Sequence, residues 1–323
     1  MTIGIAAHGP AAGRAILSSL RSVERLAIGA IGGFVSVAAL GHDGRVHRAE
    51  IQDGGVTALL DEERVSRAVL EAPSAVLMSS GPNRPEPLSQ FTPAAAGVGL
   101  VTGHRFPNNR GRDDQSLGET VLAAMATGAT PRAAVEQAVR DNPAADAGLI
   151  ALAADGRIFA ADTAFIARFG DRGGAMREAI DGTGRVAILH NGIEPSESLA
   201  LLLAELIVKA MAPAPTVAGT LELHAGTPVL AGAEAGLVLS DRGGIEAVRM
   251  IDNGGIPWPW SCGIGYRAAV WRAGRRIGSC LDEPFLVTEG RRVASVNGHP
   301  RGVIRWSALM PDGGVVAPAD YDS

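Results

Sequence analysis

Apolar and polar residues change rhythm several times along the 323-residue chain, and each change marks an element. In "GRAILSSLRSVERLA", Ile16, Leu20, Val23 and Leu26 recur at spacings of three and four, which predicts an amphipathic helix. An apolar run over 33–40 and an alternating run over 45–51 flank "GHDG" and predict a hairpin, because Asp-Gly supplies the positive φ of a tight turn. "GLIALAADGRIFAADT" repeats the design further on. Helices are expected over 57–70, from the capping box of Ser116 and Glu119 through Met125, and after Thr130, where proline takes the first helical position. "GGAMREAI" is expected as a short helix, "RVAILHN" as a strand, and 195–211 as a helix.

The proline-rich "APAPTVAGT" divides the chain into residues 1–212 and 213–323. Beyond it, "GLVLSDRGGIEAVRMID", "FLVTEGRRVASV" and "GVIRWSALMPDGGVVAP" read as hairpins of a β-rich domain. Antiparallel pairs with helices grouped between them predict an α+β class for the first part. No G-x-G-x-x-G fingerprint or P-loop is present.

Composition narrows the chemistry. Hydrophobic residues make up 46% of the chain and aromatic ones only 4%, so the core must be built from Ala, Val, Leu and Ile. A net charge of -5 gives no electrostatic footprint for nucleic acid. Lys209 is the only lysine and lies near the end of an apolar helix, which argues against Schiff-base and Ser-Lys mechanisms. Two cysteines, Cys262 and Cys280, without Cys/His spacing, predict no metal site and a reducing compartment. No cofactor is expected. The first residues lack a signal-peptide pattern and no run reaches membrane-spanning length, so a cytoplasmic protein without membrane contact is expected; a homo-oligomer is left open.

Three segments in order resemble the threonine-type N-terminal-nucleophile hydrolases of the asparaginase and isoaspartyl-peptidase group. They are "AIGGFVSVAALGHDGRVHRAEIQDGG", "VGLVTGHRFPNNRG" and "GLIALAADGRIFAADT", and the stretch they span is somewhat under half of the chain. The resemblance implies an αββα sandwich over residues 1–212, with 213–323 as a β-rich extension. It also implies a nucleophile that opens a strand as Thr-Val/Ile-Gly, is freed by cleavage, and uses its own α-amine as base. In this alignment the nucleophile position falls on Ala30, which has no attacking atom, and Gln52 and Asp53 replace a hydroxyl cluster.

The remaining candidates cluster at strand ends. The resemblance implies that Thr102 and Gly103 contact substrate and polarise its carbonyl. His104 is the candidate acid–base group, and Arg105, Asn108, Asn109 and Arg110 are suited to hold a carboxylate or imide-like ligand. On the proline-stiffened "MSSGPNRPEP", Ser79, Ser80, Asn83 and Arg84 are candidate ligand contacts, as are His190 and Asn191 in "LHNGIEP" and His8 in "AAHGPAAG". "WPWSCGIGY" collects Trp258, Trp260, Cys262 and Tyr266 and reads as packing or an interface patch. The expected function is hydrolysis of a small amide or related C–N bond in a carboxylate- or amide-bearing molecule, with His104 and Thr102 catalytic. The alternative is an inactive homologue that binds a small anionic metabolite or a partner subunit.

Overall fold

The computed structural model describes residues 2–29, 31–112, 114–179, 182–212, 217–251, 260–265 and 267–308. Two compact units divide the chain, Met1–Pro213 and Ala214–Ser323. The first begins with β1 (Thr2–His8), α1 (Ala12–Glu24), β2 (Val35–Leu40), β3 (Val46–Ile51), α2 (Gly55–Asp61), α3 (Arg67–Leu70) and β4 (Ser74–Ser80). Then come β5 (Ala94–Ala95), β6 (Gly99–Arg105), α4 (Leu117–Ala126), α5 (Pro131–Asp141), β7 (Ala147–Ala153), β8 (Ile158–Asp162), β9 (Arg172–Glu178), β10 (Arg185–Asn191) and α6 (Leu199–Met211).

The class is β-rich: 41% strand against 23% helix, spread over several sheets. This corrects the expected α+β class and αββα sandwich, which gave helices too large a share. The discrepancy has identifiable sources. "TIGIAAH" becomes β1, a central strand with no alternation to betray it because both of its faces are covered. Ser74–Ser80 is likewise buried throughout as β4. "GGAMREAI" is mostly strand, not helix, because β10 offers it a full antiparallel register, Arg185↔Glu178 through Asn191↔Arg172. The helix expected over 57–70 is two pieces. Glu63 turns into positive φ (51°) after α2, and Ser66 starts α3 by accepting the Val69 N–H at 3.3 Å.

Six strands form one sheet in the order β3-β2-β4-β1-β10-β9, and four form another in the order β5-β6-β7-β8. Both Asp-Gly hairpins are present, β2–β3 in the first sheet and β7–β8 in the second. Ile3, Ile5 and Ala7 point to one side of the first sheet, where Ile16, Leu20, Leu203 and Ile207 of α1 and α6 close a core. Val101, Leu149 and Ala151 do the same for the second sheet beneath Val121 and Val135 of α4 and α5. The opposite faces share an apolar layer of Ala6, Ala38, Val76, Leu100, Ile150 and Leu152. Small side chains let the sheets approach, most of all at Gly4. A Cβ there would stand 2.9 Å from the Gly103 Cα and closer still to its carbonyl.

The second unit is built of strands alone among its described residues, in a seven-stranded and a three-stranded sheet. Leu223, Leu237, Val248, Val270, Leu286 and Ile304 form its core.

Candidate functional site

The register of the first sheet sets Ser80, Thr2 and Asn191 side by side at one end of its three middle strands. Period-two alternation turns Thr2 away from the helix-side core that takes Ile3 and Ile5, and toward the second sheet. The Thr2 Oγ1 donates a hydrogen bond to Asn191 Oδ1 at 3.0 Å and accepts one from the backbone N–H of Arg105 at the end of β6. Arg105 reaches this position with φ at 61°, a left-handed conformation that costs a non-glycine residue on the order of 1 kcal/mol.

Thr2, 5% exposed, forms part of the wall of a cavity of about 260 Å³ with Arg84, Phe91, Arg105, Phe106 and Asn108. Arg84 donates to Ser80 Oγ at 2.6 Å and to the Pro82 carbonyl at 3.2 Å, and its guanidinium lies 5.7 Å from the Phe34 ring centre. No carboxylate pairs with it among the described residues. Its loop is pinned by Gln52, whose side chain accepts from the Arg84 N–H at 2.9 Å and donates to the Arg84 carbonyl at 2.8 Å. Arg105, in contrast, is held by Asp146 through a forked pair and lies 5.0 Å from the Phe169 ring centre. The Asp146 hydrogen bond raises the Arg105 pKa further above its usual value.

The structure brings Arg84, Arg105, Asn108, Ser80 and Asn191 around this end of the sheets, but it withdraws the expected acid–base pair. Thr102 is fully buried and its hydroxyl donates to the Leu77 and Phe91 carbonyls at 3.2 and 3.3 Å, so it ties the sheets together. His104 is also fully buried, with Nε2 2.8 Å from Asp162 Oδ1, and Asp162 is paired in turn with Arg172 at 3.3 Å. Its ring occupies the space that a side chain at Gly148 would need. Neither residue lines the cavity. Thr102 and His104 are even positions on β6, whose even side chains enter the layer between the sheets. Gly103 lies on the opposite face of β6 and Asn109 contributes backbone bonds to Phe106 and Leu117; neither lines the cavity.

His190 alternates onto the helix side of its sheet, against Gly173, and neither ring nitrogen has a partner. Burial, with the nearby His104 adding to it, lowers its pKa to about 4. His104, Arg105 and His190 therefore do not line one cleft. His8 packs at the other end of β1, with Nδ1 2.8 Å from Ser74 Oγ, and burial lowers its pKa. Ser79 is buried on the helix side, and Arg110 forms a surface pair with Asp114 at 2.8 Å.

Thr2 was missed, although its signal is in the letters: Thr2-Ile3-Gly4 is the Thr-Ile-Gly opening that the resemblance requires, placed ahead of the segment aligned to it. Ala30, Trp258 and Tyr266 lie outside the described residues, as do the side chains of Trp260 and Cys262. A larger cavity of about 550 Å³ opens beside β8 and β9, but its arginines 132, 157, 177 and 185 are each paired with an acid. Among the described residues no group of three or more His, Cys, Asp or Glu side chains could hold a metal, and no helix is long and apolar enough to cross a membrane.

Residues 2–220 match the model of a family described as a domain of unknown function (DUF6963), and residues 226–301 match that of a second domain of unknown function (DUF7259). No curated protein matches the chain.

Proposed function

The chain belongs to the DUF6963 family, so its activity has to be read from the pocket, and we propose that it hydrolyses the C–N bond of a small carboxylate-bearing amide with Thr2 as nucleophile. One observation carries this reading: a buried threonine hydroxyl at the first position of a central strand, held by Asn191 and the Arg105 N–H, in the wall of a cavity that also presents an arginine with no carboxylate partner among the described residues.

Cleavage of the Met1–Thr2 bond frees an α-amine on the same residue as the hydroxyl. That amine takes the hydroxyl proton as Oγ1 attacks the amide carbonyl, and a tetrahedral centre forms. Collapse of this centre breaks the C–N bond, and the departing nitrogen receives the proton from the Thr2 ammonium. Water then adds to the Thr2 ester, giving up a proton to the amine, and release of the acid restores the hydroxyl. Asn191 orients the hydroxyl throughout, and Arg84 binds the carboxylate through its forked donors. The kinship with N-terminal-nucleophile hydrolases belongs to the same proposal, supported by Thr2-Ile3-Gly4 and by the segments "VGLVTGHRFPNNRG" and "GLIALAADGRIFAADT", in a register that replaces the alignment on Ala30. So does a cytoplasmic setting, for which Cys280, buried with its thiol pKa pushed up to about 11, fits a reducing compartment. The inactive-binder reading rests on the lack of a hydroxyl at Ala30; the hydroxyl of Thr2, at another position, supports the catalytic reading in its place.

Intact-mass measurement of the expressed protein, followed by ammonia release from a panel of small amides, tests the assignment. The active species is expected to begin at Thr2, and Thr2→Val is expected to lower kcat by at least ~10³-fold. Full activity with Met1 retained, or in Thr2→Val, would overturn it.

A further inference from the structure

We infer that the pocket selects carboxylates whose nitrogen is acylated or otherwise neutral, and discriminates against free α-amino acids; this specificity rests on the reading of Thr2 as nucleophile. An α-amino acid carries an ammonium as well as a carboxylate, and a site built for it supplies an acid beside its arginine. Here the cavity wall contains two arginines and no carboxylate. Asp146 is engaged by Arg105, and Asp171 adds to the field around that same arginine without lining the cavity. Among the described residues Arg84 has no carboxylate partner, and the bonds to Ser80 and Pro82 use two of its five N–H donors. An incoming ammonium would find no carboxylate in the cavity wall to pair with, whereas a neutral N–H needs none.

Asn108 gives the same answer from a second direction. Its Nδ2 donates to Gln90 Oε1 at 2.7 Å. The Gln90 amide cannot be turned around, because its Nε2 already donates to the Pro85 and Pro87 carbonyls at 2.9 and 3.0 Å. The network therefore fixes Asn108 with Nδ2 toward Gln90 and Oδ1 as a buried acceptor without a donor. Asn108 contributes a neutral amide to the cavity wall, and no charge. The volume, about 260 Å³, restricts the ligand to metabolite size.

Three matched probes separate the possibilities: N-acetyl-L-asparagine, which has the carboxylate and a neutral N–H; succinamate, which has the carboxylate alone; and L-asparagine, the zwitterion. Ammonia release is measured for the Thr2-terminal protein and for Asn108→Asp, with thermal shifts of the Thr2→Val protein recorded for all three probes. The expected order of kcat/KM is N-acetyl-L-asparagine, succinamate, L-asparagine, with about tenfold or more between first and last. Asn108→Asp, which places a carboxylate in the wall, is expected to reduce the ratio of first to last by about tenfold. Equal or faster hydrolysis of L-asparagine, or an unchanged ratio in Asn108→Asp, would overturn the inference while leaving Thr2 in place. If no probe is hydrolysed, the Thr2 reading fails and the thermal shifts decide alone. A larger shift with N-acetyl-L-asparagine than with L-asparagine supports the selectivity, and equal or absent shifts overturn it.

Discussion

Gly4 is the point at which the closeness of the two sheets can be tested. Gly4→Ala introduces a Cβ 2.9 Å from the Gly103 Cα, whereas non-bonded carbons rest about 3.5–4.0 Å apart. The obstacle is backbone in a fully paired strand, so no rotamer change relieves it. The sheets must separate locally by about 1 Å, which forfeits dispersion contacts in the layer around Ala6 and Val76 and costs about 3 kcal/mol. That is a large part of a domain stability of about 5–15 kcal/mol. The same separation carries the Arg105 N–H away from the Thr2 hydroxyl two residues upstream, so catalysis and stability are expected to fall together. Urea denaturation of wild type, Gly4→Ala and Gly170→Ala measures the first effect; Gly170 is the control because a Cβ there meets nothing within 4 Å. If Gly4→Ala unfolds within about 0.5 kcal/mol of wild type, the close approach is not a constraint and the account of the layer is wrong.

Other expectations concern single groups. His190 stays neutral when folded, so its contribution to stability is complete above its ordinary pKa of 6.5 and is lost as pH falls from there toward about 4. The full loss is about 3 kcal/mol, and His190→Leu is expected to flatten the difference between urea midpoints measured at about pH 7.5 and about pH 4.5. Ser116 accepts the Glu119 N–H at 3.2 Å and returns a bond to its carboxylate at 3.0 Å, so Ser116→Ala is expected to cost about 1 kcal/mol in the same assay. Gln52→Ala frees the Arg84 loop at both backbone bonds, and steady-state kinetics are expected to show a raised KM with a smaller change in kcat.

What the sequence disclosed depended on whether a signal was local. Hairpins at Asp43 and Asp155 were legible because turn chemistry resides in a few adjacent residues, and both α4 and α5 were legible from caps that the structure retains. β1 and β4 were not, since a strand covered on both faces shows neither period two nor a polar boundary. Arg84, Arg105 and Asn108 were recognisable as polar residues on loops. Their partners Gln52 and Asp146 are 32 and 41 residues away, a separation on which letters are silent. His104 was attractive as a titratable group near pH 7, and only the alternation of β6 against a second sheet reveals that it is sealed in. Thr2 was passed over because a hydroxyl at a chain start has no periodic context; its meaning comes from Ser80 and Asn191 beside it.

A nucleophile whose base is its own amine cannot tolerate anything attached in front of it. Any upstream extension, whether a purification tag, a leader or an unremoved initiator, converts that amine into a peptide nitrogen, which does not accept a proton near neutral pH. On the proposed mechanism, preparations carrying such an extension would fold and yet release no ammonia, so the position of a tag would by itself decide the outcome of the assay.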